Sequence, residues 1–157
     1  MKYLLSLLSL MILCSPQASA HGGHTATFGY HLGKQKIVLE FRMEQSVLHH
    51  FDFASQCENY QSATALCLAN YIQAHSQVAF GEETLTFELS DAKKDGHHFV
   101  IRMVATGDFS SSDQLRIQND CFFEFDPSFE NRVVLMSTYG RDSYLLTHKK
   151  RKLSIRI

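Results

Sequence analysis

The stretch Ala26-Thr27-Phe28-Gly29-Tyr30-His31-Leu32-Gly33-Lys34-Gln35-Lys36-Ile37-Val38-Leu39-Glu40-Phe41-Arg42-Met43 sets the fold class. Ala26, Phe28, Tyr30 and Leu32 alternate with Thr25, Thr27, Gly29 and His31. Beyond the polar Gly33–Lys36 turn, Ile37, Leu39, Phe41 and Met43 alternate with Val38, Glu40, Arg42 and Glu44. A period of two puts each set on its own face of a strand, and two such runs across a short polar turn make a β-hairpin.

Towards the C-terminus, Ser46 is expected to cap a short turn through Val47, Leu48 and Phe51. A longer helix is expected from about Glu58 to His75, with Tyr60, Ala63, Thr64, Cys67, Tyr71 and Ala74 at helical spacing. Thr84–Leu89 and His98–Ala105 read as two strands joined by a polar Asp91–Gly96 turn. From Leu115 to Phe125, the residues Leu115, Ile117, Cys121, Phe123 and Phe125 alternate with Arg116, Gln118, Asp120 and Glu124, a half-buried strand with Cys121 inward. Phe122 then points away from that face, either exposed or, in the favoured reading, covered by the helix. After a turn at Asp126-Pro127-Ser128, Arg132–Thr138, Ser143–Thr147 and Leu153–Ile157 complete the strands. Short strands at regular spacing, without internal repeats, give a mainly β fold: an antiparallel β-sandwich with one inserted α-helix.

Towards the N-terminus, residues 1–20 read as a signal peptide. Lys2 precedes an apolar Tyr3–Cys14 run, Pro16 breaks it, and Ala18-Ser19-Ala20 has the small-x-small form that signal peptidase accepts. A spanning helix needs about 20 apolar residues, more than this run supplies, so an N-terminal anchor is the lesser alternative. The expected product is a single domain, residues 21–157, in the periplasm or secreted, with no transmembrane segment. Across 157 residues the net charge is -1, which disfavours a nucleic-acid partner.

An exported chain matures under oxidising conditions, so a disulfide is expected. Cys67–Cys121 is the favoured pair; Cys57 with Cys121, Cys57 with Cys67 and unpaired buried thiols remain open.

Cleavage after Ala20 would leave His21 first. A terminal His offers its α-amine and its imidazole to one metal ion, and His24, beyond the flexible Gly22-Gly23, adds a second imidazole. His31 is a third candidate if its strand folds back. Amine and imidazole nitrogens suit Cu(II), Ni(II) and Zn(II). The alternative is a solvated tail with no specific metal site. His49-His50 and His97-His98 read as surface imidazoles, because neighbours in a helix or strand do not face one another. His75 closes the helix, and His148 adjoins the basic Lys149-Lys150-Arg151-Lys152 stretch, read as a hairpin tip that discourages edge pairing.

No Gly-rich phosphate loop, G-x-S-x-G or H-E-x-x-H occurs. A copper oxygenase built on a terminal His would need a broad aromatic platform, and the chain has no Trp. A non-enzymatic role is expected.

The layout also carries a resemblance. A His follows the signal, then come the Lys36–Met43 strand, the Ser46-Val47-Leu48 segment and a helix ending Asn70-Tyr71-Ile72-Gln73-Ala74-His75. Asn119-Asp120-Cys121-Phe122-Phe123-Glu124-Phe125-Asp126-Pro127 and Asn131-Arg132-Val133-Val134 follow, before a final hairpin. This resembles small exported domains of unknown function related to the extracytoplasmic segment of hydrogenase/urease-type nickel permeases. More loosely, it is similar to zinc-regulated His-rich periplasmic proteins, though it lacks their long internal His-rich loop. The resemblance implies a binding or accessory role around metal transport, with a metal transporter or another envelope protein as partner.

Overall fold

The computed structural model describes residues 24–51, 61–110 and 113–157. The expected signal segment, its cleavage site and His21 lie outside the described residues, as do Cys57 and the expected helix start at Glu58.

In chain order the elements are β1 Thr25–Leu32, β2 Lys36–Glu44, α1 Gln45–His50, α2 Gln61–His75, β3 Ser76–Phe80, β4 Glu83–Thr84, β5 Glu88–Asp95, β6 His98–Thr106, β7 Gln114–Asn119, β8 Glu130–Ser137, β9 Gly140–Thr147 and β10 Lys152–Arg156. The fold is mainly β, with two helices among the described residues where one was expected. A six-stranded sheet runs β5-β6-β2-β1-β8-β9, and a four-stranded sheet runs β10-β7-β3-β4. Every strand pair is antiparallel except β1 with β8, which makes the larger sheet mixed.

The alternation of the first hairpin decides its register. Phe28 sits opposite Phe41 on one side and Val133 on the other, and Phe41 opposite Ile101, so one row of inward side chains crosses four strands. All four are buried, and burying each contributes roughly 1.5–3 kcal/mol. Leu115, Ile117 and Val78 of the smaller sheet join the same apolar cluster, as do Leu68 and Ile72 of α2.

Several expectations are corrected. The buried stripe of α2 is Ala65, Leu68, Ala69 and Ile72, while Cys67 and Tyr71 are half-buried on its flank and Ala74 is exposed. An aliphatic stripe of Ala, Leu and Ile, not the expected set around Cys67 and Tyr71, orients the helix. Glu44, not Ser46, occupies the N-cap of α1, with no side-chain cap; the Ser46 hydroxyl instead donates to Glu44 Oε2 at 3.3 Å. Ser76–Phe80, unassigned from sequence, is a strand. The expected turn at Asp91–Gly96 is mostly strand β5, an edge strand whose side chains are nearly all exposed, so no alternation marks it. The chain reverses at Gly96, whose φ of +59° suits glycine. The strand expected over Leu115–Phe125 ends at Asn119, and residues 121–125 form a tight turn. Lys149–Lys152 is no hairpin tip within one sheet: Thr147 and Lys150 exchange backbone hydrogen bonds as the chain passes from β9 to β10 of the other sheet.

The pairing Cys67–Cys121 is not formed. Cys67 is disulfide-bonded, whereas Cys121 is a free, fully buried thiol. Two buried asparagines fix the place of Cys121. Its backbone N–H donates to Asn119 Oδ1 at 3.0 Å, and Asn131 Nδ2 donates to its carbonyl at 2.9 Å.

Candidate functional site

The site is built around the turn that follows β7. Phe122 has a φ of 67°, the left-handed region that a bulky residue enters only when held there. Its backbone N–H donates to the Tyr71 hydroxyl of α2 at 2.7 Å. Phe125 N–H and Asp126 N–H both donate to the Phe122 carbonyl at 3.1 Å. The Phe122 ring is fully buried against Phe41, Phe51, Tyr71 and Phe129, so the helix covers it as expected. With this geometry the turn directs Glu124 towards α2 and Asp126 towards the start of β1.

His24 lies immediately before β1, its carbonyl accepting from Glu130 N–H at 3.0 Å. Its ring Nδ1 is 3.2 Å from Asp126 Oδ2. The His50 ring, at the last residue of α1, lies 4.9 Å from the His24 ring between centroids, with the planes inclined at 47°. Beneath them is Phe51, its ring edge-on to His24 at 5.6 Å and stacked on Phe125 at 5.4 Å. Two imidazoles and a carboxylate therefore stand on an aromatic floor.

Ser128 holds the Asp126 carboxyl below the usual carboxylate range. Its hydroxyl and backbone N–H donate to Oδ1 at 2.6 and 2.8 Å, outweighing the opposing effect of partial burial, and His24 adds to the lowering. An ionised carboxylate has no proton to give, so the hydrogen bond to Oδ2 requires the proton on His24 Nδ1. In the neutral ring, the Nε2 lone pair is then the one left for a ligand.

A second His–carboxylate pair hangs on the same turn. Tyr71 donates to Glu124 Oε1 at 2.5 Å, and His75 stacks on the Tyr71 ring at 4.3 Å with its Nδ1 3.9 Å from the same oxygen. Burial, reinforced by the bond to Glu124, raises the Tyr71 hydroxyl well above its ordinary value and keeps it a donor. Burial also pushes up the Cys121 thiol, as do the charges of Glu124 and Asp120; the thiolate needed for metal binding or nucleophilic attack is disfavoured.

Of the two sequence-proposed metal ligands among the described residues, His24 is at this site and His31 is not. His31 is at the far end of β1, and seven residues of extended chain put it about 23 Å away. It is exposed on the outer face, opposite Val38 and Met136, so the strand does not fold back. Among the described residues, no three of His, Cys, Asp and Glu converge closely enough to hold a metal ion by themselves.

Sequence reasoning missed His50 and Asp126. The rule that only one of His49 and His50 can face a given point was the usable signal. Asp126 read only as a turn residue, and its Asx turn to Ser128 is present as well. No family model matches this chain and no curated protein matches it, so a role must be argued from the site's own chemistry.

Proposed function

We propose that this is an exported, non-enzymatic binding protein of the periplasm or extracellular space. It captures a divalent ion, Cu(II), Ni(II) or Zn(II), through the histidines at its processed N-terminus, His21 and His24. The observation that carries this reading is the His24–Asp126 hydrogen bond. A carboxylate on one ring nitrogen fixes the tautomer, orients the ring and raises the basicity of the other nitrogen, which is how proteins prepare a metal-ligating imidazole. The α-amine and imidazole of His21 supply further nitrogens next to it. His31 drops out of the ligand set.

The two sheets are taken to close over their common core as a β-sandwich within a single domain, residues 21–157. A metal transporter or another envelope protein is the partner, as the resemblance of the sequence layout to nickel-permease extracytoplasmic segments would imply.

The test is a Cu(II) and Zn(II) titration of the correctly processed chain, repeated with one extra residue ahead of His21. Blocking the free α-amine should weaken Cu(II) binding sharply; equal affinity for both forms would overturn the terminal chelate. A second reading, a structural or protein-interaction module of the envelope, is favoured by one observation. The edge strand β9 carries the exposed Leu145, and Tyr139 in the turn before it is 95% exposed.

A further inference from the structure

We infer that His50 is the second protein imidazole of the metal site, so that the end of α1 and the start of β1 grip one ion between them. This rests on the metal-capture reading and adds a ligand that terminal chelation does not require.

With a metal–nitrogen distance of about 2.0–2.1 Å, a ligating imidazole has its ring centroid about 3.2 Å from the ion. Two such rings lie about 5.2 Å apart at a tetrahedral angle and about 4.5 Å apart at the right angle of a square-planar site. The 4.9 Å between His24 and His50 falls between these values. A linear two-ligand arrangement would need about 6.4 Å from the same bond length, and the observed pair is too close for it. The rings are also inclined rather than stacked, which leaves room for nitrogens to converge.

Chemistry agrees. His24 is already oriented through Asp126, and Phe51, in ring contact with both imidazoles, shields the underside of the pair from water, which strengthens binding at the open side. Two nitrogens form half a site, in line with the lack of any three-residue cluster among the described residues; water can complete it. The adjacent His49 is exposed and forms no ring contact with His24 among the described residues, which makes it a matched control.

The experiment is Zn(II) competition against a chromophoric chelator, with Cu(II) electron paramagnetic resonance, on the processed wild type, H24A, H49A, H50A and H31A. H50A and H24A should each lose about tenfold or more in Zn(II) affinity and one coordinated imidazole from the Cu(II) spectrum. H49A and H31A should match wild type. Because His50 is exposed, H50A should keep its thermal midpoint. As a check that needs no variant, Zn(II) added to wild type should shift the ring-nitrogen resonances of both His24 and His50. If H50A binds like wild type while H24A is weakened, His50 is not a ligand and only the terminal-histidine reading survives. If no form binds either ion, both readings fall.

Discussion

Two histidine–carboxylate pairs hang on one short turn, and they differ in what the carboxylate is already committed to. Asp126 divides its oxygens: Oδ1 takes the hydroxyl and N–H of Ser128, and Oδ2 is left for His24 at 3.2 Å. Glu124 instead gives Oε1 to the Tyr71 hydroxyl, and His75 stands off at 3.9 Å, stacked on the tyrosine. The first arrangement leaves an oriented imidazole with a spare lone pair. The second is a clamp that ties the turn to α2 and stabilises the unusual backbone at Phe122. Similar residue types thus give a ligand-ready group and a structural brace, two positions apart.

The largest expected effect comes from breaking the brace. Tyr71→Phe removes the acceptor for Phe122 N–H and the donor for Glu124; the exposed carboxylate can turn to water, but losing the acceptor of a buried donor costs about 1–3 kcal/mol. Urea unfolding should show this as a lower midpoint. Zn(II) affinity should stay near wild type if the two pairs are independent; a parallel loss would show that the whole turn acts as one unit. A smaller effect, seen in binding more than in stability, is expected from Asp126→Asn. The amide keeps one acceptor oxygen where two had separate tasks, and its nitrogen can donate to His24 Nδ1 and so select the wrong tautomer. Loss of such an orienting partner typically costs about 10–100-fold in metal affinity. Glu124→Gln should leave Zn(II) affinity unchanged, and an equal loss there would erase the distinction between the pairs.

The sequence made the frame legible wherever one strand face is buried. In β1 and β2 the apolar positions 26, 28, 30, 37, 39, 41 and 43 are all buried, so the period of two was unambiguous. It failed where that asymmetry is missing. β5 is exposed along nearly its whole length, and its Asp91-Ala92-Lys93-Lys94-Asp95 run looks like a turn because an edge strand is marked by charge. It failed again at Cys121-Phe122-Phe123, where three consecutive residues are buried. Alternation would have sent Phe122 outward, but its positive φ breaks the strand and lets neighbouring rings enter one core. The same turn explains why, of the two proposed ligands among the described residues, only His24 is in place. His50 and Asp126 reach it through contacts 26 and 102 residues away in sequence, and no local pattern encodes such a meeting. His31 shares a strand with His24, and an extended strand separates residues that sequence places close together.

The finest separation of the two pairs is by pH. Hydrogen bonds from Ser128, with a further contribution from His24, hold the folded Asp126 carboxyl below its ordinary value. A carboxyl whose folded pKa lies below the unfolded value of about 3.9 is held preferentially as the anion. Its contribution to stability is therefore complete above about pH 4 and is lost as the pH falls through the folded pKa. In metal-free protein, the stability gap between wild type and Asp126→Asn should close as the pH falls below about 4. The gap should be small, because the carboxylate is partly open to water and screened. The Tyr71→Phe gap has a different origin: the phenol stays protonated throughout this range, so its loss should not close in the same way. Urea midpoints for both variants across this range measure the contrast. An Asp126→Asn gap that persisted unchanged into acid would mean that the fold does not favour the carboxylate, and the argument that Asp126 selects the tautomer of His24 would fail with it.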